Sequence, residues 1–167
     1  MDYRKLNAMT VKDAFPIPRI DDSLDALAGS RWFSTLDLTS GYWQVALDDD
    51  AKEKSAFVVR GGLFNWRVMP FGMCNAPSTF ERLMERVLNG LHWEILLVYL
   101  DDVIVYGRTV QEELSRLSMV FQRLRDAGLK LKPQKCEFGV NKIHYLGHVI
   151  DSTGIRPDEK KDRKSVV

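Results

Sequence analysis

Two adjacent carboxylates, Asp101 and Asp102, separate two apolar runs and are the first candidates for chemistry. The runs, 95–98 and 103–106, are leucine, β-branched and tyrosine residues without polar alternation, which predicts two strands buried on both faces. The connection predicts a hairpin with the acids at or beside its tip. Asp is also an ordinary turn residue. However, preferred two-residue turns use Gly or Asn, so we favour a functional site.

A third carboxylate, Asp37, lies near the end of a predicted strand at 31–38. If this strand pairs with the hairpin, the acids converge, and their repulsion calls for a cation. Carboxylates without nearby His or Cys favour Mg²⁺ or Mn²⁺ over zinc. Polymerases are among the enzymes that use two such ions for displacement at phosphorus. We therefore expect Asp37 and Asp101 to lie close enough for one Mg²⁺ to bridge them.

The remaining pattern predicts an α+β fold, with an antiparallel sheet and helices packed on one side. Amphipathic spacing predicts helices at 20–28, from Asn75 to about 89–90, and at 110–128. The Gly61-Gly62 pair predicts a hairpin between 55–60 and 63–68. We expect one strand at 143–150, a turn at 151–154 and a return at Ile155. The acidic run 48–50 predicts a solvated turn or a helix start.

Composition bounds the class of protein. The 167 residues are 45% hydrophobic and 28% charged, which fits one ordinary domain. A net charge of +1 neither favours nor excludes nucleic acid. No run reaches the length of a membrane span, and the N-terminus lacks a signal-peptide core. Cys74 and Cys136 are far apart, which suits a reducing compartment. We expect an intracellular protein that is neither secreted nor membrane-bound.

Seven ordered blocks carry a more specific signal than any single motif. Together they resemble the reverse transcriptase (RNA-directed DNA polymerase) of gypsy-class long-terminal-repeat retrotransposons. This resemblance implies a right-hand polymerase palm with partial fingers over 1–158, and we expect the charged tail 159–167 to fray. The blocks are DYRKLN at 2–7, FPIP at 15–18, LDLTSGY at 36–42, MPFG at 69–72, NAP at 75–77, YLDD at 99–102 and YLGH at 145–148.

The resemblance also implies a metal site. Asp37 and Asp101 would hold two Mg²⁺ ions, with Mn²⁺ as a substitute, and Asp102 would support the site from the hairpin. Lys135 would be the general acid for the leaving pyrophosphate, with Lys132 as an alternative. The implied reaction transfers a nucleotide from a dNTP to a primer 3′-hydroxyl on an RNA or DNA template.

Further roles follow for the nucleotide and the primer. The backbone amides of Ser40 and Gly41 would meet the triphosphate, Tyr42 would lie under the sugar, and Phe71 would sit beside the nucleotide. A primer grip would comprise three residues, Tyr145, Leu146 and Gly147. The other fingers, thumb and ribonuclease H regions of a polyprotein would be partners. The location would be the cytoplasm or a virus-like particle.

Several alternatives remain beside this interpretation. A zinc site of Cys136, His144 and His148 has unsuitable spacing. Trp43 and Trp66 could stack on bases, although core packing is the favoured interpretation. Three lysines, at 130, 132 and 135, are either a solvated face or a track for a nucleic-acid backbone.

Two other functions stay open. The chain could be a catalytically inactive, polymerase-derived nucleic-acid-binding module, in which case Mn²⁺ would have no reason to bind the acids. A third candidate is the palm of an RNA-dependent RNA polymerase, which must tolerate ribose at the position of Tyr42.

Overall fold

A computed structural model describes residues 1–16, 19–99 and 102–158. The helices are α1 (Arg4–Met9), α2 (Ile20–Leu27), α3 (Asp49–Lys54), α4 (Ala76–Val87) and α5 (Val110–Asp126). The strands are β1 (Trp32–Asp37), β2 (Phe57–Val59), β3 (Gly62–Phe64), β4 (Leu96–Tyr99), β5 (Asp102–Gly107), β6 (Glu137–Val140), β7 (Lys142–Tyr145), β8 (His148–Asp151) and β9 (Gly154–Pro157). Short 3₁₀ turns occupy Gly41–Gln44 and Pro133–Lys135. None of these described helices is long and apolar enough to cross a membrane.

A four-stranded antiparallel sheet in the order β4-β5-β1-β6 is the centre of the fold. Strands β4 and β5 are the predicted apolar hairpin, and β1 pairs with β5 along its whole length. Two smaller antiparallel sheets, β2-β3 and β7-β8-β9, complete the architecture. The predicted α+β class is confirmed.

The central hairpin is buried on both faces, as the absence of polar alternation predicted. Val103 and Val105 of β5 point into the core formed with α4 and α5. Ile104 and Tyr106 point the other way, into a second core that also contains Leu27 of α2. The two long helices therefore share one side of the sheet, as expected, whereas α2 and the sheet β7-β8-β9 cover the other side.

Helix α4 begins where predicted, but the side chain of its N-cap residue does not have the predicted capping role. Asn75 is the N-cap residue and proline lies in the first turn, yet the Asn75 side chain does not cap the helix. Its amide group donates to the Val11 carbonyl at 2.9 Å, and its oxygen accepts from the Asp13 N–H at 3.0 Å. Asn75 therefore fastens the N-terminal segment to α4. The helix ends at Val87, slightly before the predicted 89–90.

The prediction of one strand over 143–150 is wrong. The segment forms two strands, β7 and β8, joined at Leu146 and Gly147. Both turn residues have positive φ, 47° and 80°, as a tight mirror-image hairpin turn requires. Gly147 suits this turn, but leucine rarely adopts the conformation, so Leu146-Gly147 does not match the Asn-Gly, Asp-Gly or Gly-Gly pairs that indicate it. The acidic run, in contrast, starts a helix as expected, because the Asp48 carboxylate accepts the Ala51 N–H and caps α3.

Helix α5 is fixed to the sheet by a close approach and a buried polar contact. A methyl group on Gly107 of β5 would lie 2.8 Å from the backbone nitrogen of Glu113. The Ser34 hydroxyl of β1 donates to the buried Glu113 carboxylate and accepts the Gly139 N–H at 3.0 Å. One buried hydroxyl thus connects β1, α5 and the β6 segment.

We predict that Gly107→Ala lowers the free energy of unfolding by about 1–3 kcal/mol, because α5 must move away from β5. The measurement is equilibrium urea unfolding. Gly61→Ala is the matched control, since a methyl group there meets nothing within 4 Å. Equal stability of the two variants would show that α5 does not depend on this close approach.

Candidate active site

A cleft of about 240 Å³ lies beside the end of the central sheet. Its walls come from segments far apart in the chain, so the fold assembles it. The cleft is lined by Thr35, Leu36, Asp37, Asp102, Ile104, Lys135, Glu137, His144 and Tyr145. Four of the predicted site residues are in this set: Asp37, Asp102, Lys135 and Tyr145.

The register of β1 and β5 brings the two described acids together. Asp37 is directly opposite Asp102 across the antiparallel pair. Residues opposite one another in such a pair have Cβ atoms about 4.5–5.5 Å apart. Both acids lie at the end of their pairing, on the side of the sheet that faces β7. Asp101 falls outside the described residues, so its approach to Asp37 stays a prediction.

Lys135 places a positive charge next to Asp37. Its Nζ lies 3.1 Å from Oδ2 of Asp37, although the two residues are 98 positions apart. The 3₁₀ turn before β6 places this lysine, and the Lys132 backbone N–H donates to the Asp37 carbonyl at 2.9 Å. The Asp37 side chain is 25% exposed and the Lys135 side chain 57%. Of the two predicted candidates for the general acid, Lys135 is the one whose amino group contacts Asp37.

The Ser40-Gly41 segment is fixed against helix α4. Ser40 has a φ of 47° and precedes the 3₁₀ turn Gly41–Gln44. A Cβ on the buried Gly41 would lie 2.8 Å from Cζ of Phe80, so a larger residue would displace that ring. The backbone predicted to meet the triphosphate is therefore held by the main hydrophobic core.

Tyr42 and Phe71, which are both predicted for the nucleotide site, contact each other. Their ring centroids are 5.1 Å apart, and Tyr42 also packs edge-on against Phe80 at 5.6 Å. Phe71 is half exposed. Neither residue lines the cleft beside Asp37. Asp37 and Asp102 therefore form one cluster of side chains, and Tyr42 and Phe71 form another. Residues 38–41 connect the two clusters along the chain.

The two tryptophans extend this aromatic group. Trp43 stacks on Trp66 with centroids 6.1 Å apart and meets Phe71 edge-on at 5.7 Å. Neither tryptophan belongs to the two main cores, and Trp43 is 47% exposed. Core packing, the interpretation favoured from sequence, is therefore wrong for Trp43.

The predicted primer-grip residues divide between the core and the turn. Tyr145 is buried against the sheet, and this burial raises the pKa of its phenol well above the usual range, with the negative charge of Asp102 acting in the same direction. Leu146 and Gly147 form the β7–β8 turn. The Gly147 carbonyl accepts the Asp158 N–H at 2.9 Å, which fastens the turn to the chain after β9.

The three candidate zinc ligands contact different partners. The Cys136 thiol lies near the Asp37 backbone, His144 pairs with Asp158, and His148 approaches the Leu146 carbonyl. Within the described ranges, no three His, Cys, Asp or Glu side chains are grouped as a metal site.

Of the three lysines, at 130, 132 and 135, Lys130 is hydrogen-bonded through its backbone to the Gln44 side chain. A phosphate-tracking role for them stays a prediction.

Among the cleft residues that sequence reasoning did not assign to the site, two are ionisable, Glu137 and His144. Glu137 is opposite Thr35 in the β1–β6 pair. It stands between Cys136 and Phe138 and belongs to none of the seven blocks, so nothing marked it as a site residue. His144 was weighed only as a metal ligand, although its place two residues before the turn put it beside the predicted primer grip.

The sheet, its two backing helices and the paired acids at the ends of β1 and β5 define a polymerase palm domain. A family model described as reverse transcriptase (RNA-dependent DNA polymerase) matches residues 1–150. The chain belongs to the reverse transcriptase family.

The curated relatives are long polyproteins. The chain is 41% identical to the Retrovirus-related Pol polyprotein from transposon 297 of Drosophila melanogaster, over 96% of the chain and 15% of that protein. It is 35% identical to the corresponding polyprotein from transposon gypsy of the same organism, over 96% of the chain and 16% of that protein. The chain thus spans about one sixth of the length of these relatives, and the resemblance to gypsy-class elements is confirmed.

Solved structures agree on the fold. The foamy viral protease-reverse transcriptase in complex with RNA/DNA hybrid matches with a TM-score of 0.86 and 27% identity, over 99% of this chain and 22% of that one. A form of the same enzyme in complex with double-stranded DNA matches with a TM-score of 0.89 and 27% identity, over 99% and 29%. The predicted palm and fingers fold is confirmed.

Proposed function

We propose that this chain is the palm and part of the fingers of a retrotransposon polyprotein and carries its polymerising site. The domain extends over 1–158, and 159–167 lies beyond it. The reaction adds a deoxynucleotide from a dNTP to a primer 3′-hydroxyl on an RNA or DNA template. The observation that carries the proposal is the pairing of Asp37 with Asp102 in a cleft that also contains Lys135.

The donor set fits hard divalent cations. Asp37 and Asp102 offer carboxylate oxygens at the paired ends of β1 and β5, and Asp101 is adjacent to Asp102 in sequence. Asp37 and Asp101 would hold two Mg²⁺ ions, or Mn²⁺ in their place, and Asp102 would support them. When bound, such ions offset negative charge at the reacting phosphate and favour ionisation of the attacking hydroxyl.

The chain's own residues account for the remaining steps. The primer 3′-oxygen forms a bond to the α-phosphorus of the dNTP while the bond from that phosphorus to the pyrophosphate oxygen breaks. Lys135 donates a proton to the leaving pyrophosphate. The amides of Ser40 and Gly41 bind triphosphate oxygens, and the fixed backbone at Gly41 favours a preorganised site.

The grip on the primer comes from the other side of the cleft. The turn at Leu146 and Gly147, packed on the buried Tyr145, would hold the primer terminus against the acids. The RNA/DNA hybrid and double-stranded DNA in the foamy viral complexes support this class of partner. A place in the cytoplasm or in virus-like particles is part of this proposal.

We predict that Asp101→Asn abolishes primer extension by the longer polyprotein that carries this chain, because one metal ligand is lost. The fold should remain, as judged by circular dichroism. Asp126→Asn, at the exposed end of α5, is the matched control and should leave extension unchanged. Normal extension by Asp101→Asn would favour a nucleic-acid-binding module without catalysis at these acids.

Metal binding can be measured on the 167-residue chain alone. We predict that Asp37→Asn weakens Mn²⁺ binding, and that Lys135→Gln strengthens it several-fold, because the lysine amino group competes for the same carboxylate at 3.1 Å. Electron paramagnetic resonance of free Mn²⁺ provides the measurement. Lys142→Gln is the control, since this exposed lysine lies outside the residues that line the cleft. Equal affinity of the wild type and Asp37→Asn would remove Asp37 from the site.

Sugar selection should depend on Tyr42. Its ring is held by Phe71 and Phe80, so it can act as a rigid wall against a 2′-hydroxyl. We predict that Tyr42→Val in the polyprotein admits ribonucleotides while deoxynucleotide incorporation falls only modestly. Single-nucleotide extension with dNTP and rNTP gives the ratio of kcat/KM values. An unchanged ratio would place Tyr42 outside the sugar site and reopen the RNA-polymerase interpretation.

A further inference from the structure

His144 has a place in the cleft and a partner that the roles proposed above leave unused. It lines the same cleft as Asp37, Asp102 and Lys135. Its Nδ1 lies 2.7 Å from Oδ2 of Asp158. The pair therefore fixes the imidazole ring of a residue that lines the cleft.

Asp158 is built to orient this ring. Its side chain is only 11% exposed, whereas that of His144 is 55% exposed. The Asp158 backbone N–H also donates to the Gly147 carbonyl, so one residue holds both the imidazole and the adjacent turn. A carboxylate can only accept from Nδ1–H, and this leaves Nε2 for a second partner.

We propose that His144 binds a phosphate oxygen of the nucleotide or nucleic-acid strand in the cleft, and that Asp158 is its positioning residue. In the imidazolium form both ring nitrogens donate, one to Asp158 and one to the phosphate, as a charge-assisted hydrogen bond. The proposal rests on the polymerase function proposed above, and it adds a residue and a ligand chemistry to that function.

The distribution of charge in the cleft supports an anion at this position. Asp37, Asp102 and Glu137 are its acidic groups, and Lys135 and His144 are its basic groups. Lys135 is already paired with Asp37. His144 is thus the basic group that is not directed at a metal-binding acid, because its carboxylate partner lies outside the cleft lining.

The test is a nuclear magnetic resonance titration of the 167-residue chain, labelled uniformly with ¹⁵N for the backbone amides and with ¹³C in the histidine rings. One arm adds a deoxynucleoside triphosphate and the other adds a primer–template duplex. We expect the His144 ring signal to shift and saturate in at least one arm, and that arm identifies whether the phosphate belongs to the nucleotide or to the strand. His92, which stacks on Trp93 in the loop between α4 and β4, is the internal control and should not move.

Variants separate the positioning role from a merely structural one. Asp158→Asn keeps an acceptor but removes the charge, so the affinity read from the His144 signal should fall about fivefold. Asp151→Asn is the matched control, because Asp151 makes an ion pair in the same small sheet, with Arg156 at 2.6 Å. Thermal unfolding of both variants reports any general loss of structure.

Two results would overturn the inference in different ways. If the backbone amides of Tyr145, Leu146 and Gly147 shift with the duplex while the His144 ring stays unmoved in both arms, the inference is wrong and the proposed function stands. If no signal of the chain shifts in either arm, both are contradicted. Equal losses of affinity in Asp158→Asn and Asp151→Asn would show that Asp158 has no special role.

Discussion

The pairing of β1 with β5 is the constraint on which the rest of the structure depends. Its register places Asp37 opposite Asp102, and a slip by one residue would turn every side chain of β1 to the wrong face. Strand β5 is apolar on both faces, and β1 places Leu36 in one core and Phe33 in the other, so burial of apolar residues alone specifies the register only weakly. The contact of Ser34 with Glu113 supplies the missing specificity, because a buried hydroxyl and a buried carboxylate must meet.

The same core reaches the site from the other side through Phe80. This ring fills the space that a Gly41 side chain would need, and it also packs against Tyr42. Through the Phe80 side chain, helix α4 therefore positions both the backbone at Gly41 and the ring of Tyr42 in the proposed nucleotide site. A site supported by a buried helix is more precisely held than one carried by a free loop. This accounts for the strained φ of 47° at Ser40 beside a fully buried residue.

Elements whose sequence pattern is local could be predicted, whereas features that depend on contacts between distant residues could not. Apolar runs and helical spacing located the central hairpin and helices α4 and α5, because these patterns depend on burial alone. The β7–β8 turn was missed because its first residue is leucine with a positive φ, and Leu146 followed by Gly147 is not one of the usual pairs for such a turn. Asn75 looked like a helix cap, but its partners are Val11 and Asp13, more than sixty residues away. The contact of His144 with Asp158 likewise depends on tertiary structure.

The cleft combines charges of both signs, and the substrate chemistry explains why. A cleft of carboxylates alone would attract cations and repel every nucleotide, whereas one of lysine and histidine alone would bind nucleotides without retaining a metal. Placing Asp37 and Asp102 on the sheet and His144 on a separate hairpin keeps the two kinds of charge on different elements. Lys135 lines the same cleft and is paired with Asp37. A cation held by Asp37 would compete with this lysine for the carboxylate, and in the proposed reaction Lys135 would be the proton donor to the leaving pyrophosphate.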